Sequence, residues 1–349
     1  LLSTKYRRSI RMRILIAQVI PSGKLPKYSY IPELNEKIAE MVAGLNSGQV
    51  FLVNQAQGFN WQDYTVHDKV HPNKAGAEKM ATVWFEALKK VLASSETVFS
   101  PEIVRYKTLE DGDSLALHIF KPRNMQAGEK RPAIVYFFGG GWKLGTPIQF
   151  YRECAYYASK GMVAVSVDYR IGYLHHSTPF ESFEDAKDAI CWLRSHASDY
   201  QLDPDKIAVA GGSAGGHLAA ALGTIGSDET VPAGYRPNLS VLYYPVIDMV
   251  SRGYGFPEIK RDFEKISPIH HVSEATPSTL ILLGTKDPIV SVETIEAYQD
   301  KLLQKGVDCE LHLFEGAGHP IFLYRKPLTE EYYKVRKLTD DFLKRQGFL

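Results

Sequence analysis

Apolar and polar positions along the chain follow two rhythms, and the change between them comes near residue 95. Before it, RMRILIAQVI and QVFLVNQ are short apolar runs that predict strands. IPELNEKIAEMVAGLNSG and the stretch from Asn73, NKAGAEKMATVWFEALKKVLA, carry the three-to-four-residue apolar spacing of helices. The polar stretch SSETVFSP closes this unit. VRYKTLEDGDSLALHIFKP then alternates on either side of Glu110-Asp111-Gly112-Asp113, which predicts a hairpin whose second strand stops at Pro122. From residue 130 onward strand and helix patterns take turns. AIVYFF, MVAVSVDYR, KIAVAGG, SVLYYPVID, TLILLGTKD and CELHLFEG read as strands; PIQFYRECAYYASKG, FESFEDAKDAICWLRSHASDY, AGGHLAAALGTIG, SVETIEAYQDKLLQKG and LTEEYYKVRKLTDDFLKRQG read as helices. Near-continuous apolar strands between amphipathic helices describe a mostly parallel sheet with helices on both faces. Such sheets bind ligands beyond the carboxyl ends of their strands, so chemistry is expected after VAGG, GTKD and FEG.

Candidate reactive residues fall at those three places. Gly211-Gly212-Ser213-Ala214-Gly215-Gly216 follows the strand KIAVA and opens a helix, the setting that a G-x-S-x-G nucleophile requires. Asp287 ends TLILLGTKD and His319 follows CELHLFEG, giving the order Ser, Asp, His. In that arrangement His319 takes the Ser213 proton, and Asp287 fixes the imidazole tautomer and stabilises its charged form. The residue-level alternatives are a helix cap for Asp287 and a histidine packed on Pro320 for His319. FFGGGW follows the strand AIVYFF, and its consecutive glycines allow successive amides to face one spot; Gly140, Gly141 and Ala214 are the expected oxyanion donors. Ser114 lies in a tempting Gly-Asp-Ser-Leu string, but a hairpin places no helix N-terminus behind it, and it is not expected to react. Pocket walls should come from the loops IGYLHHSTPF and MVSRGYGFPEIKRDFEKISPIHH, with Trp142, His175, His176 and Tyr254 as candidate substrate contacts.

Composition narrows the partners. The chain has 349 residues, 44% of them hydrophobic, and a formal charge of +1, which suits one large or two modest globular domains and gives no electrostatic signature for nucleic acid or an anionic membrane. No apolar run approaches the roughly 20 residues of a bilayer span. LLSTKYRRSIRMRILIAQV has no small-residue cleavage site after its apolar stretch, so no signal peptide is expected in this chain, while a secreted or periplasmic parent is plausible on function. Cys154, Cys191 and Cys309 lack metal spacing and sit in apolar patterns, which predicts buried free thiols.

From about residue 100 to the end the chain resembles the α/β-hydrolase esterases of the hormone-sensitive-lipase and acetyl-esterase group, including acetylxylan and feruloyl esterase relatives. FGGGW, VSVDYR, GGSAGG, GTKDPIV and GAGH carry the resemblance. Two positions depart from it: Phe138 replaces the usual histidine of the HGGG oxyanion loop, so that loop must be braced from elsewhere, and Gly212 stands where many relatives have aspartate. Residues 1–94 carry a second resemblance. Asp68 and His71 in DKVHPNKAG, with ILIAQVIP and QGF, look like the closing block of an SGNH hydrolase whose serine-bearing first half is missing. The expected organisation is therefore an SGNH-type fragment over 1–94, a linker over 95–100 and a catalytic α/β-hydrolase domain over 101–349.

The resemblance implies a serine esterase for short acyl groups, acting on a small-molecule or oligosaccharide ester. Acetyl groups on xylan-type sugars are the first expectation and feruloyl esters the second. No metal or organic cofactor is implied, and the fragment offers a route to a homo-oligomer. GGSAGG and GTKDPIV also resemble prolyl-oligopeptidase-type peptidases, but 94 α/β-patterned residues cannot form the gating propeller of that family. A binding protein on the same fold would be expected to lack a member of the Ser, Asp, His set, and all three are present.

Overall fold

In the computed structural model the described residues are 14–45, 50–93, 101–123, 125–126, 128–226, 234–249, 262–322 and 328–349. The chain divides into two compact units, Leu1–Val98 and Phe99–Leu349. The expected linker over 95–100 lies outside the described residues.

The first unit contains β1 (Ile14–Ala17), α1 (Ile31–Gly44), β2 (Val50–Val53), the short α2 (Trp61–Tyr64) and α3 (Lys74–Ala93). β1 and β2 are parallel, with Ile14 opposite Val50 and Ala17 opposite Val53. Asn35 on α1 fixes the chain leaving β1: its side-chain amide donates to the Val19 carbonyl and accepts from the Val19 amide, both at 2.7 Å. A buried amide paired on both sides satisfies backbone groups that no strand partner reaches.

The second unit is built on an eight-stranded sheet. Its strands are β3 (Glu102–Thr108), β4 (Ser114–Phe120), β5 (Arg131–Phe137), β6 (Val163–Val167), β7 (Leu202–Gly212), β8 (Leu239–Tyr243), β9 (Ser278–Gly284) and β10 (Cys309–Phe314), in the order β10-β9-β8-β7-β5-β6-β4-β3. β5 to β10 run parallel, and the β3–β4 hairpin joins antiparallel at one edge. Every residue of β6 and β8 is buried, which is why these segments read as near-continuous apolar runs rather than alternations. The helices are α4 (Tyr151–Ser159), α5 (Gly172–His175), α6 (Pro179–Ser195), α7 (Ala214–Thr224), α8 (Val292–Gln304) and α9 (Glu330–Arg345). Among the described residues no helix is long and apolar enough to cross a membrane.

Three local expectations need correction. IGYLHHSTPF, read as loop, contains the one-turn α5, closed by His176 in the left-handed region at φ 51°. A 3-10 turn over Pro147–Phe150 precedes α4. Cys154 and Cys309 are buried free thiols, but Cys191 is exposed. A helix advances about 100° per residue, so the inward positions Ile190 and Leu193 leave Cys191 on the outer face of α6.

Candidate active site

β7 ends at Gly212 and α7 starts at Ala214, which leaves Ser213 alone to turn the chain. Its φ of 57° and ψ of −119° are costly for a residue with a Cβ, by roughly 1–3 kcal/mol. The surroundings hold it there: the Ser213 amide donates to the Tyr243 carbonyl at 3.1 Å, and its carbonyl accepts from the His217 amide at 2.9 Å. The turn is so tight that a Cβ on Gly211 would lie 2.3 Å from the Gly215 carbonyl oxygen. The aspartate of many relatives at position 212 would require the Tyr244 side chain to shift. A Cβ there would stand 2.6 Å from the Tyr244 hydroxyl, because Tyr244 fills the space beside the elbow.

The Ser213 hydroxyl lies 2.8 Å from His319 Nε2, and His319 Nδ1 lies 2.6 Å from Asp287 Oδ2. The Asp287 side chain is wholly buried, and its other oxygen, Oδ1, accepts from the amides of Ile289 at 2.8 Å and Val290 at 3.0 Å. Asp287 therefore closes the turn after β9, while the cap of α8 is Ser291. The Tyr244 ring meets the His319 ring edge-on, with centroids 4.8 Å apart, and limits its rotation. Ser114 starts β4, three strands away from β7 in the sheet, or roughly 14 Å at ~4.8 Å per strand.

The loop after β5 folds back on itself. Gly140 has φ 149°, and a Cβ on it would sit 1.9 Å from the Leu144 carbonyl oxygen; its own carbonyl accepts from the amides of Lys143 and Leu144, both at 3.2 Å. Gly141 and Trp142 follow at φ 63° and 57°. Among the described residues, the amides of Gly140, Gly141 and Ala214 have no hydrogen-bond acceptor. Phe138, in place of a histidine, stacks on Tyr169 at 4.1 Å, and the Tyr169 hydroxyl donates to the Phe138 carbonyl at 2.6 Å.

Trp142 fastens the far end of this loop. It is buried rather than presented to a cleft, and its indole N–H donates to His217 Nδ1 at 3.3 Å. With Nδ1 accepting, the His217 proton sits on Nε2 and is donated to the Ile266 carbonyl at 2.7 Å. Burial pushes His217 down from the ordinary value of 6.5 to about 4, so it stays neutral at pH 7. An unfolded chain would take up this proton below about pH 6.5 and the folded protein would not, so stability is expected to fall as pH drops from 6.5 towards 4. Urea unfolding of wild type and His217→Gln at pH 7.5 and 5 checks this: the loss on acidification should be smaller in the variant. An equal loss in both would rule out His217 as a source of the acid sensitivity.

The remaining substrate candidates separate. His175 is turned inward, with Nδ1 accepting from the Ile171 amide at 3.0 Å and Nε2 3.8 Å from the Asp113 carboxylate, so it fastens its own loop. His176 is exposed, and Tyr254 lies outside the described residues. Tyr169, His217 and Tyr244 were not anticipated as parts of the site. Only Tyr244 carried a usable signal, since it directly follows the end of β8. In the first unit, Asp68 and His71 do meet, at 2.5 Å, and hydrogen bonds from the His71 side chain and backbone hold the Asp68 carboxyl far below the carboxylate range. His71 is largely exposed, and its Nε2 has no hydrogen-bond partner among the described residues.

A serine on a strand-to-helix elbow, with acid and base on later strand ends of a mainly parallel sheet, defines an α/β-hydrolase. Residues 117–261 match the BD-FAE family. Esterase 2 of the planctomycete Thermogutta terrifontis, solved with propionate, is 36% identical with a TM-score of 0.66, covering 71% of this chain and 95% of that one. The same enzyme has been solved with butyrate and phosphorylated by paraoxon. Esterase LipC of Mycobacterium tuberculosis is 28% identical over 241 residues, 60% of this chain and 57% of LipC. An acetylxylan esterase of Xylanibacter ruminicola is 26% identical over 227 residues, 60% of this chain and 44% of that enzyme. The chain belongs to the α/β-hydrolase esterases. It spans about half the length of these curated relatives.

Proposed function

We propose that the protein is a serine carboxylesterase that hydrolyses short acyl esters, with acetyl groups on xylan-type carbohydrate as its substrate class. The reading rests above all on the continuous hydrogen-bonded line Ser213, His319, Asp287 at the carboxyl ends of β7, β9 and β10. Ser213 Oγ attacks the ester carbonyl while His319 Nε2 takes its proton, and Asp287 holds the Nδ1 proton and stabilises the imidazolium. The amides of Gly140, Gly141 and Ala214 receive the oxyanion, each such donor being worth about 2.7–4 kcal/mol in the transition state. His319 returns the proton to the departing alcohol, and a water activated by the same nitrogen then releases the acyl group from Ser213. Propionate and butyrate in the Thermogutta enzyme favour a short acyl pocket, and the Xylanibacter relative favours acetylated xylan.

A feruloyl ester is the second reading, favoured by apolar side chains beside the oxyanion loop. Leu144, Tyr173 and Leu174 are exposed by 46%, 69% and 72%, and the Tyr173 amide is tied to the Lys143 carbonyl at 3.1 Å. Such a surface suits a planar aromatic acid.

Rates on p-nitrophenyl esters from acetate to decanoate, beside acetylated xylo-oligosaccharide and methyl ferulate, test both readings. Acetate to butyrate should be fastest, decanoate at least about tenfold slower, and acetate should be released from the oligosaccharide. Paraoxon should label Ser213 once per chain. Absence of both hydrolysis and labelling would remove the esterase reading, whereas preference for methyl ferulate would replace the acetyl substrate with the aromatic one.

We propose that the first unit is related to the SGNH hydrolases. Its Asp68–His71 pair resembles the acid and base of that family.

A further inference from the structure

The histidine that normally braces the oxyanion loop is Phe138 here, and a phenyl ring can neither donate nor accept a hydrogen bond in its place. Tyr169 holds the carbonyl of the Phe138–Gly139 peptide, but it does not reach the Gly139 carbonyl in the next peptide, from which the turn of Gly140 and Gly141 begins. Gln149 spans both peptides at Gly139. Its Oε1 accepts from the Gly139 amide at 2.6 Å, and its Nε2 faces the Gly139 carbonyl at 3.5 Å. A primary amide is one of the few side chains that can accept from one backbone group and donate to another of the same residue.

Two further observations give this contact its leverage. Gly139 lies directly against the nucleophile: a Cβ on it would be 2.7 Å from the Gly212 carbonyl oxygen and 3.4 Å from Ser213 Cβ. A displacement of Gly139 therefore moves the loop relative to Ser213, and the amides of Gly140 and Gly141 with it. Gln149 itself is firmly mounted. Its 3-10 turn begins and ends on the buried Pro147 and Phe150, the Pro147 carbonyl accepts from the Ser166 hydroxyl on β6 at 2.7 Å, and Phe150 stacks on Tyr136 at 4.8 Å.

We propose that Gln149 is the positioning residue of the oxyanion loop, supplying through the Gly139 peptide the brace that histidine supplies in related loops. This rests on the esterase reading above, since an oxyanion must form for its position to matter. Gln149 touches no reacting atom; it sets where the Gly140 and Gly141 amides stand when negative charge develops on the substrate oxygen, an effect realised in the transition state and little in the ground state.

Three measurements on the full chain test it. Gln149→Leu is expected to lower kcat on p-nitrophenyl acetate by about 10- to 100-fold, the range expected for displacing reacting groups by up to about 1 Å, with KM within about threefold. Affinity for a trifluoromethyl ketone, which forms a charged tetrahedral adduct on the nucleophile, should fall by the same factor as kcat/KM, while inhibition by propionate stays unchanged. Gln149→Glu supplies a second variant. Its protonated carboxyl both donates and accepts as the amide does; its ionised form only accepts and adds negative charge near the oxyanion. The ratio of variant to wild-type kcat/KM should therefore rise as pH is lowered. A purely structural residue would move the melting temperature without these signatures. If wild type hydrolyses esters but folded Gln149→Leu keeps kcat/KM and ketone affinity, or if the Gln149→Glu ratio is flat with pH, the positioning role is wrong. If wild type neither turns over esters nor reacts with paraoxon, it is the esterase reading that fails.

Discussion

Ser213→Ala is expected to lower ester turnover by about a millionfold, leaving the residual rate that binding and the oxyanion amides provide without a nucleophile. Ser114→Ala should leave turnover within about twofold. The two serines differ in everything that makes a hydroxyl reactive. Ser213 stands 2.8 Å from an imidazole nitrogen, at the start of an 11-residue helix whose N-terminal amides face developing negative charge. Ser114 opens an edge-strand hairpin, paired opposite Thr108, with no histidine hydrogen-bonded to it among the described residues. Single-turnover kinetics with p-nitrophenyl acetate separate acylation from deacylation and should show no burst in the Ser213 variant. A folded Ser114 variant that lost activity would overturn the assignment.

The two serines also show what a sequence carries and what it hides. A four-letter string at Gly112 to Leu115 is weak evidence, because turn chemistry alone accounts for it. The elbow at 211–216 is strong evidence because strand, glycines, serine and helix all have to agree locally. The parallel sheet was legible for a related reason: β6 and β8 are buried on both faces, so nearly every position is apolar. Asp287 and His319 could be placed because strand ends converge in this architecture. The supports of the site were hidden. His217 reads as one polar residue in an alanine-rich helix, and Gln149 as the polar position of a helix start; the partner of each is fixed only by tertiary folding. Trp142 shows the converse, since a tryptophan after three glycines reads as a cleft wall, yet its indole N–H has a buried acceptor that no local pattern announces. Cys191 is exposed because an apolar neighbourhood in sequence, Ile190 beside it, does not fix which face of α6 it lies on.

Asp287→Asn is expected to reduce kcat/KM by about ten-thousandfold, and the hydrogen bonds around Asp287 explain why so small a change should cost so much. Asp287 Oδ1 accepts from two backbone amides, Ile289 and Val290. An asparagine must keep its carbonyl oxygen there, because turning its NH2 to that side would set donors against donors and leave buried amides unpaired. Its NH2 then faces His319 Nδ1, where Oδ2 stood at 2.6 Å. To receive that donor His319 must carry its proton on Nε2, the nitrogen that has to accept from Ser213. The base is thus present, correctly placed and in the wrong tautomer, and the positive charge it would acquire has lost its neighbouring carboxylate. Asp287→Ala forces no tautomer, so its activity should equal or exceed that of the asparagine variant, although the amides of Ile289 and Val290 lose their acceptor and the melting temperature should drop further. Steady-state rates and thermal melts of the two variants decide the matter. An asparagine variant within about tenfold of wild type would mean that Asp287 does not govern the histidine proton. An alanine variant far less active than the asparagine one, at equal folding, would mean that Asp287 acts by filling its site rather than by fixing the tautomer.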